Sequence, residues 1–201
     1  MAERKSDMTR RRIMDAATEL MAERGGAVFQ MAEVSERCGL SKGSVYYYFA
    51  DKAALVRAIF SSSMEELVAS VEGAVAQAPS AMAAVEGLVG VMARAVRPGS
   101  PITLALTGGT VDTAREVLPL VEKQLAHIID ILAAQLERAK GEGLVRPDAD
   151  TGLVASAIIG AFAVCEYASP GRLSTGDDAF VRGVLALVFK GIGTDAGRIC
   201  Y

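Results

Sequence analysis

Tryptophan is absent, histidine occurs once, and aromatic residues make up only 5% of the 201 residues. A chain whose apolar half is mostly Ala, Leu, Val and Met favours helices over sheets, because strands draw on aromatic and β-branched side chains. The three cysteines, Cys38, Cys165 and Cys200, are far apart and odd in number. That excludes a disulfide framework and a metal-ligand spacing, and reduced thiols are expected. Apolar runs of membrane-spanning length are also lacking, since Gly, Ser, Arg and Glu interrupt each one. The opening MAERKSDMTRRR has charge without an apolar stretch, so it does not read as a secretory leader. A cytoplasmic location is expected, with no membrane partner. One histidine, no Cys–His proximity, no glycine-rich phosphate loop and no carboxylate pair on a helix leave nothing from which to build a catalytic site. Neither enzyme activity, a metal nor a cofactor is expected.

What is present is helical periodicity and an uneven charge. The net charge is −3, yet residues 1–60 hold ten Lys/Arg against eight Asp/Glu, with the excess of acid lying downstream. A mildly basic head on an acidic body would orient the molecule on a polyanion. The spacing predicts a helix from about Thr9 to Arg24, with Ile13, Ala17, Leu20 and Met21 on one face and Gly25-Gly26 ending it. Shorter helices follow at about Met31–Arg37 and Lys42–Tyr48, separated by Gly39. Asp51 caps a fourth helix that starts at Lys52 and runs toward Ala78, with Leu55, Ile59, Leu67, Val71 and Val75 as its stripe. Two short helices across a tight glycine turn, after a longer helix, read as a helix-turn-helix. Further helices are expected at about Ser80–Val96, after Pro98/Pro101, at Asp112–Lys140, Asp150–Ala168 and Gly176–Ile192. The fold expected is all-α. Residues 1–50 would form a three-helix DNA-binding domain, and 51–201 a helical effector-binding and dimerisation domain.

Within residues 11–59, RRIMDAATELMAERG, VSERCGLSKGSVYYYF and DKAALVRAI resemble, in order and without gaps, the DNA-binding domain of the TetR family of repressors. Downstream the resemblance holds in helix count and in details such as GLVRPDAD. It implies the fold, a homodimer and binding to double-stranded operator DNA, with a small-molecule effector of unstated identity. By position it gives Lys42, Gly43, Tyr46 and Tyr47 groove contacts, and Tyr46, Tyr48 and Lys52 phosphate contacts.

The residues also make sense alone. Gly39 permits a turn at positive φ, Leu40 and Val34 pin the two helices, and small Ser35 lets them approach. Ser41 caps the third helix. Gly43 admits the backbone to a groove floor, and Lys42 and Ser44 project from the first turn, where base edges are in reach. Tyr46, Tyr47 and Tyr48 offer hydroxyls to phosphates and ring faces to thymine methyls, although a helix cannot aim three adjacent side chains one way. The alternative for them is a packing cluster. Arg10, Arg11 and Arg12 suit either DNA or a solvated helix start. The chain departs from the family at Phe29 and Gln30, where a Thr/Ser pair usually caps the second helix and donates to phosphate. Gln30 can still hydrogen-bond and Phe29 cannot, so a weaker cap is expected. Tyr48 replaces the more usual His.

A dimer interface is expected on the last two helices, from Ser156, Gly160 and Ala163 facing Val184, Leu187 and Val188, with Gly152 and Phe180 on the same faces. Ordinary intrachain core is the alternative. A ligand pocket is expected among Met82, Val85, Leu88, Val89, Met92, Leu104, Leu106, Leu118, Val121, Leu125, Ile128 and Phe162, residues that a plain core would equally require. For Glu166 three readings stand: a ligand-binding anion, an interface hydrogen-bonder, or a helix-end residue in water. His127, with Lys123 and Asp130 at helical spacing, reads as solvated surface. The function expected is a repressor released from a palindromic operator by a small apolar effector that tilts the fourth helix. The alternative is a DNA-binding regulator without such an effector, controlled by a protein partner or by abundance.

Overall fold

The computed structural model describes residues 2–97, 99–107, 111–168 and 178–192, and most of their side chains. The side chains of Leu106, Ala163 and Glu166 lie outside the described residues, as do Cys165 and Cys200. The regular elements among the described residues are helices: α1 (Ala2–Arg24), α2 (Met31–Cys38), α3 (Lys42–Tyr48), α4 (Lys52–Ala76), α5 (Ala81–Ala95), α6 (Pro101–Thr107), α7 (Val111–Gly141), α8 (Thr151–Ala168) and α9 (Asp178–Ile192). None is long and apolar enough to cross a membrane. Helix α1 begins at Ala2 rather than Thr9, because nothing in AERKSDM stops a helix.

Two compact units emerge. One comprises Met1–Met64 and Pro98–Leu120, the other Glu65–Arg97 and Val121–Tyr201. The first unit therefore reaches beyond residue 50 and takes in the first half of α4, α6 and the start of α7. Its α1 packs on α2 and α6, and α2 on α3. Ile13, Ala17, Leu20 and Met21 are buried with Phe29, Val34, Cys38, Val45, Phe49 and Leu55. Gly25 ends α1 at φ 68°, where the Gly26 N–H donates to Met21 O at 2.9 Å. Gly99 has φ 77°, and a Cβ there would sit 3.2 Å from that of Ala22.

In the second unit α5 packs on α8 and α9, which pack on each other. Helix α5 is apolar around most of its circumference and is buried accordingly, from Ala81 to Ala93. Its start is capped by Ser80, whose Oγ accepts from the Ala83 N–H at 3.2 Å. Phe162 of α8 and Phe189 of α9 are fully buried, and Phe162 meets Phe180 edge to face at 5.3 Å. Phe180 is therefore tied into its own chain. Thr151 donates to Glu137 at 2.7 Å, joining the start of α8 to α7, and Lys140 pairs with the same carboxylate at 3.0 Å. Both hold that carboxyl below its usual range.

Candidate nucleic-acid interface

The turn between α2 and α3 is built from local chemistry. Gly39 adopts φ 61° and closes α2, its N–H donating to Glu36 O at 3.2 Å while the Leu40 N–H reaches Ser35 O at 3.0 Å. A Cβ there would strain the backbone and lie 3.0 Å from an Arg12 guanidinium nitrogen. Ser41 then caps α3, accepting from the Ser44 N–H at 3.1 Å, with the two hydroxyls 2.8 Å apart. The Ser44 hydroxyl is thus engaged at the cap rather than projecting alone. Asp51 does the same for α4, accepting from the Ala54 N–H at 2.7 Å.

These caps set the rotation of α3. Val45 and Phe49 turn inward and are buried. Lys42, Gly43, Tyr46 and Tyr47 lie on the exposed side, Tyr47 with 83% of its surface open. Half-buried Tyr48 packs edge to face against Tyr47, ring centroids 5.2 Å apart, so one tyrosine of the three does serve as packing. The exposed side of α3 carries no carboxylate. It therefore offers one ammonium, two phenols and a bare backbone position, a set suited to base edges and phosphates.

The α1–α2 junction is held by ion pairs that periodicity could not reveal. Arg37 grips Glu23 at 2.6 Å and reaches Glu19 at 3.4 Å. Arg24 pairs with Glu33 at 2.6 Å and donates to Val28 O at 2.7 Å. Glu33 in turn accepts from the Gln30 N–H at 2.7 Å, so the weak cap expected at Phe29-Gln30 is made good from the third residue of α2. The Glu33 spacing was the available signal. Phe29 is buried, and the Lys52 ammonium lies over its ring at 4.9 Å. Arg10 lies over the Phe49 ring at 5.2 Å.

Arg24 and the Gln30 N–H hold the Glu33 carboxyl at about 2. The unfolded chain takes up that proton in the ordinary carboxylate range, well above the folded value. The stabilisation is therefore complete above that range and is lost as pH falls toward about 2. Melting curves across this window should show Glu33→Gln below the parent at neutral pH, with the gap closing on acidification.

The other sequence-predicted residues fall into two groups. On the second unit Met82, Val85, Leu88, Val89, Met92, Val121, Ile128 and Phe162 are buried and Leu125 is half-buried. Leu104 and Leu118 belong to the first unit, and Leu118 is 49% exposed. On α8 and α9, Ser156 is exposed, Gly160, Val184 and Val188 are half-buried, and Leu187 is 78% exposed. A Cβ on Gly160 would meet nothing within 4 Å. His127 is exposed beside Glu72 at 3.1 Å, in keeping with a solvated surface.

Residues 13–59 match the family described as bacterial regulatory proteins, tetR family. The HTH-type transcriptional regulator UidR of Escherichia coli K12 is 23% identical over 151 residues, 75% of this chain and 76% of UidR. Among solved structures, the fatty acid degradation regulator FadR from Bacillus halodurans superposes with a TM-score of 0.74 at 19% identity, covering 91% of this chain and 95% of FadR. The Bacillus subtilis transcriptional regulator FadR, solved in complex with stearoyl-CoA, gives 0.69 at 19% identity, covering 90% and 98%. A capped glycine turn followed by an exposed basic and phenolic helix, in a chain whose described elements are helices, is the DNA-binding end of a helix-turn-helix transcription regulator. Residues 13–59 are a TetR-family DNA-binding domain, and the chain as a whole is similar to regulators that carry one.

Proposed function

We propose that the chain is a homodimeric repressor that leaves a palindromic operator when a small apolar effector binds. The observation that carries this reading is the two-sided α3, with Val45 and Phe49 buried and Lys42, Tyr46 and Tyr47 presented outward. Lys42, Gly43, Tyr46 and Tyr47 enter the major groove, while Tyr48 and Lys52 meet the flanking phosphates. Ser41 and Gln30 serve the edges of this contact, and Ser44 supports it through the cap.

The homodimer is supported by α8 and α9, where Leu153, Ser156, Val164 and Leu187 are exposed and Gly160 is half-buried with nothing among the described residues within 4 Å of a Cβ. A single chain gains nothing from an open apolar face of this kind. Two copies would bury it and give the molecule two α3 helices, the number that a palindromic operator with half-sites about 34–36 Å apart requires.

Effector binding is assigned to apolar residues of α5, α7 and α8, namely Met82, Val85, Leu88, Val89, Met92, Val121, Leu125, Ile128 and Phe162. Support comes from the fold shared with the B. subtilis FadR, whose ligand is stearoyl-CoA. Helix α4 carries the signal, since residues 52–64 belong to the first unit and 65–76 to the second. The test is to select duplexes from the source genome with the full chain, then titrate the complex with a panel of small apolar compounds, with long-chain acyl-CoA as a separate arm. Release of DNA is expected, together with a rise in melting temperature of the free protein from binding to the folded state alone. Retention of DNA in the presence of every compound tried, with no thermal shift, would leave a regulator without this class of effector.

A further inference from the structure

Three observations around the start of α2 converge. The Gln30 N–H, which opens that helix, already donates to the Glu33 carboxylate at 2.7 Å. That carboxylate is held in place by Arg24 at 2.6 Å, so the Gln30 N–H is already engaged and is not offered to a phosphate. The neighbouring position is Phe29, an aromatic side chain with no hydrogen to donate. Its buried ring instead lies under the Lys52 ammonium at 4.9 Å.

Lysine is a flexible side chain, and fixing its ammonium ordinarily costs rotamer entropy on binding. A ring face within about 6 Å of the charge orders that side chain beforehand. Lys52 is also the first residue of α4, whose backbone is fixed there by the Asp51 cap. Among the described residues no carboxylate pairs with Lys52. An ammonium resting on a ring keeps N–H donors directed away from it, toward solvent or an anion.

We infer that Phe29 is a positioning residue that holds Lys52 for the DNA backbone, so that the phosphate contact that a phenylalanine at this position cannot make is made from α4. The inference rests on the proposed DNA-binding role. Phe29 touches no DNA itself and acts through Lys52.

The test is a double-mutant cycle in the full chain, using a duplex that the parent enriches from a random-sequence pool. Lys52→Gln should weaken binding and lower the slope of log affinity against log salt by about 0.9 per protomer, the loss of one phosphate neutralised. Phe29→Leu should weaken binding by about two- to fivefold per protomer in the parent background, the range of an exposed cation–π contact. In the Lys52→Gln background the same change should cost nothing, and Phe29→Tyr, which keeps the ring face, should bind as the parent does. Equal losses from Phe29→Leu in both backgrounds would overturn the inference, because a side chain that only supports the fold costs the same with or without Lys52. A second measurement needs no variant. In the free parent protein the Lys52 ε-methylene protons should show an upfield ring-current shift, and its absence would also overturn the assignment. Failure of the parent to enrich any duplex is a different outcome and sinks the DNA-binding reading itself.

Discussion

Gly160→Arg is expected to give a folded monomer whose operator affinity falls by about a hundredfold or more, the loss of the second head's effective concentration. The folding half of this expectation comes from the single chain. Gly160 is half-buried, lies on α8, and beyond its own helix backbone has nothing among the described residues within 4 Å of where a Cβ would stand. An arginine there can extend into solvent without displacing anything of its own subunit. The dimerisation half comes from the proposed interface, where a guanidinium between two closely packed helices would be buried without a partner. Sedimentation and a melting curve read the two halves separately. A variant that remains dimeric at micromolar concentration places the interface on another face. A variant with a collapsed melting temperature means that Gly160 packs within its own subunit after all.

Lys42→Ala and Tyr46→Ala carry the second large effect. Each removes a side chain proposed to reach base edges or phosphates, and each should cost about 1–3 kcal/mol of operator binding, roughly five- to 160-fold. Both side chains are exposed, so melting temperature and dimerisation should stay at parental values. Val45, between them on the same short helix, is fully buried and separates the two kinds of effect. Val45→Ala should lower stability while leaving the outward chemistry of α3 intact. If Lys42→Ala and Tyr46→Ala bind the selected duplex as the parent does, α3 is not the reading helix.

The boundaries of α3 were legible because they follow from interactions spanning three or four residues. Gly39 has no Cβ to oppose a left-handed turn, and Ser41 reaches the N–H of Ser44. The same holds for Asp51 at the start of α4. The inward set Val45 and Phe49, and hence the outward set Lys42, Tyr46 and Tyr47, also follows from helical spacing. Where the local rules were silent, the reading fell short. Nothing before Thr9 favours or forbids helix, and α1 takes up that stretch as well.

The tertiary structure alone decided which distant side chains meet. Arg37 with Glu23, Arg24 with Glu33, Lys52 on Phe29 and Arg10 on Phe49 each join residues at least nine positions apart. No periodicity encodes such pairs, because their distance is set by how whole helices dock. Apolar spacing also reads alike for a core, a cavity and an interface. Leu118 is half exposed where a pocket wall was expected, and Leu104 and Leu118 belong to a different unit from Met82 and Val85. Gly160 shows the same limit from the other side: its smallness was visible at once, but only the packed chain shows that no described residue of another element comes within 4 Å of a Cβ there. A sequence specifies what each residue can do within a turn of helix, whereas which surfaces remain to meet DNA, ligand or a second copy is settled by what the rest of the chain has already covered.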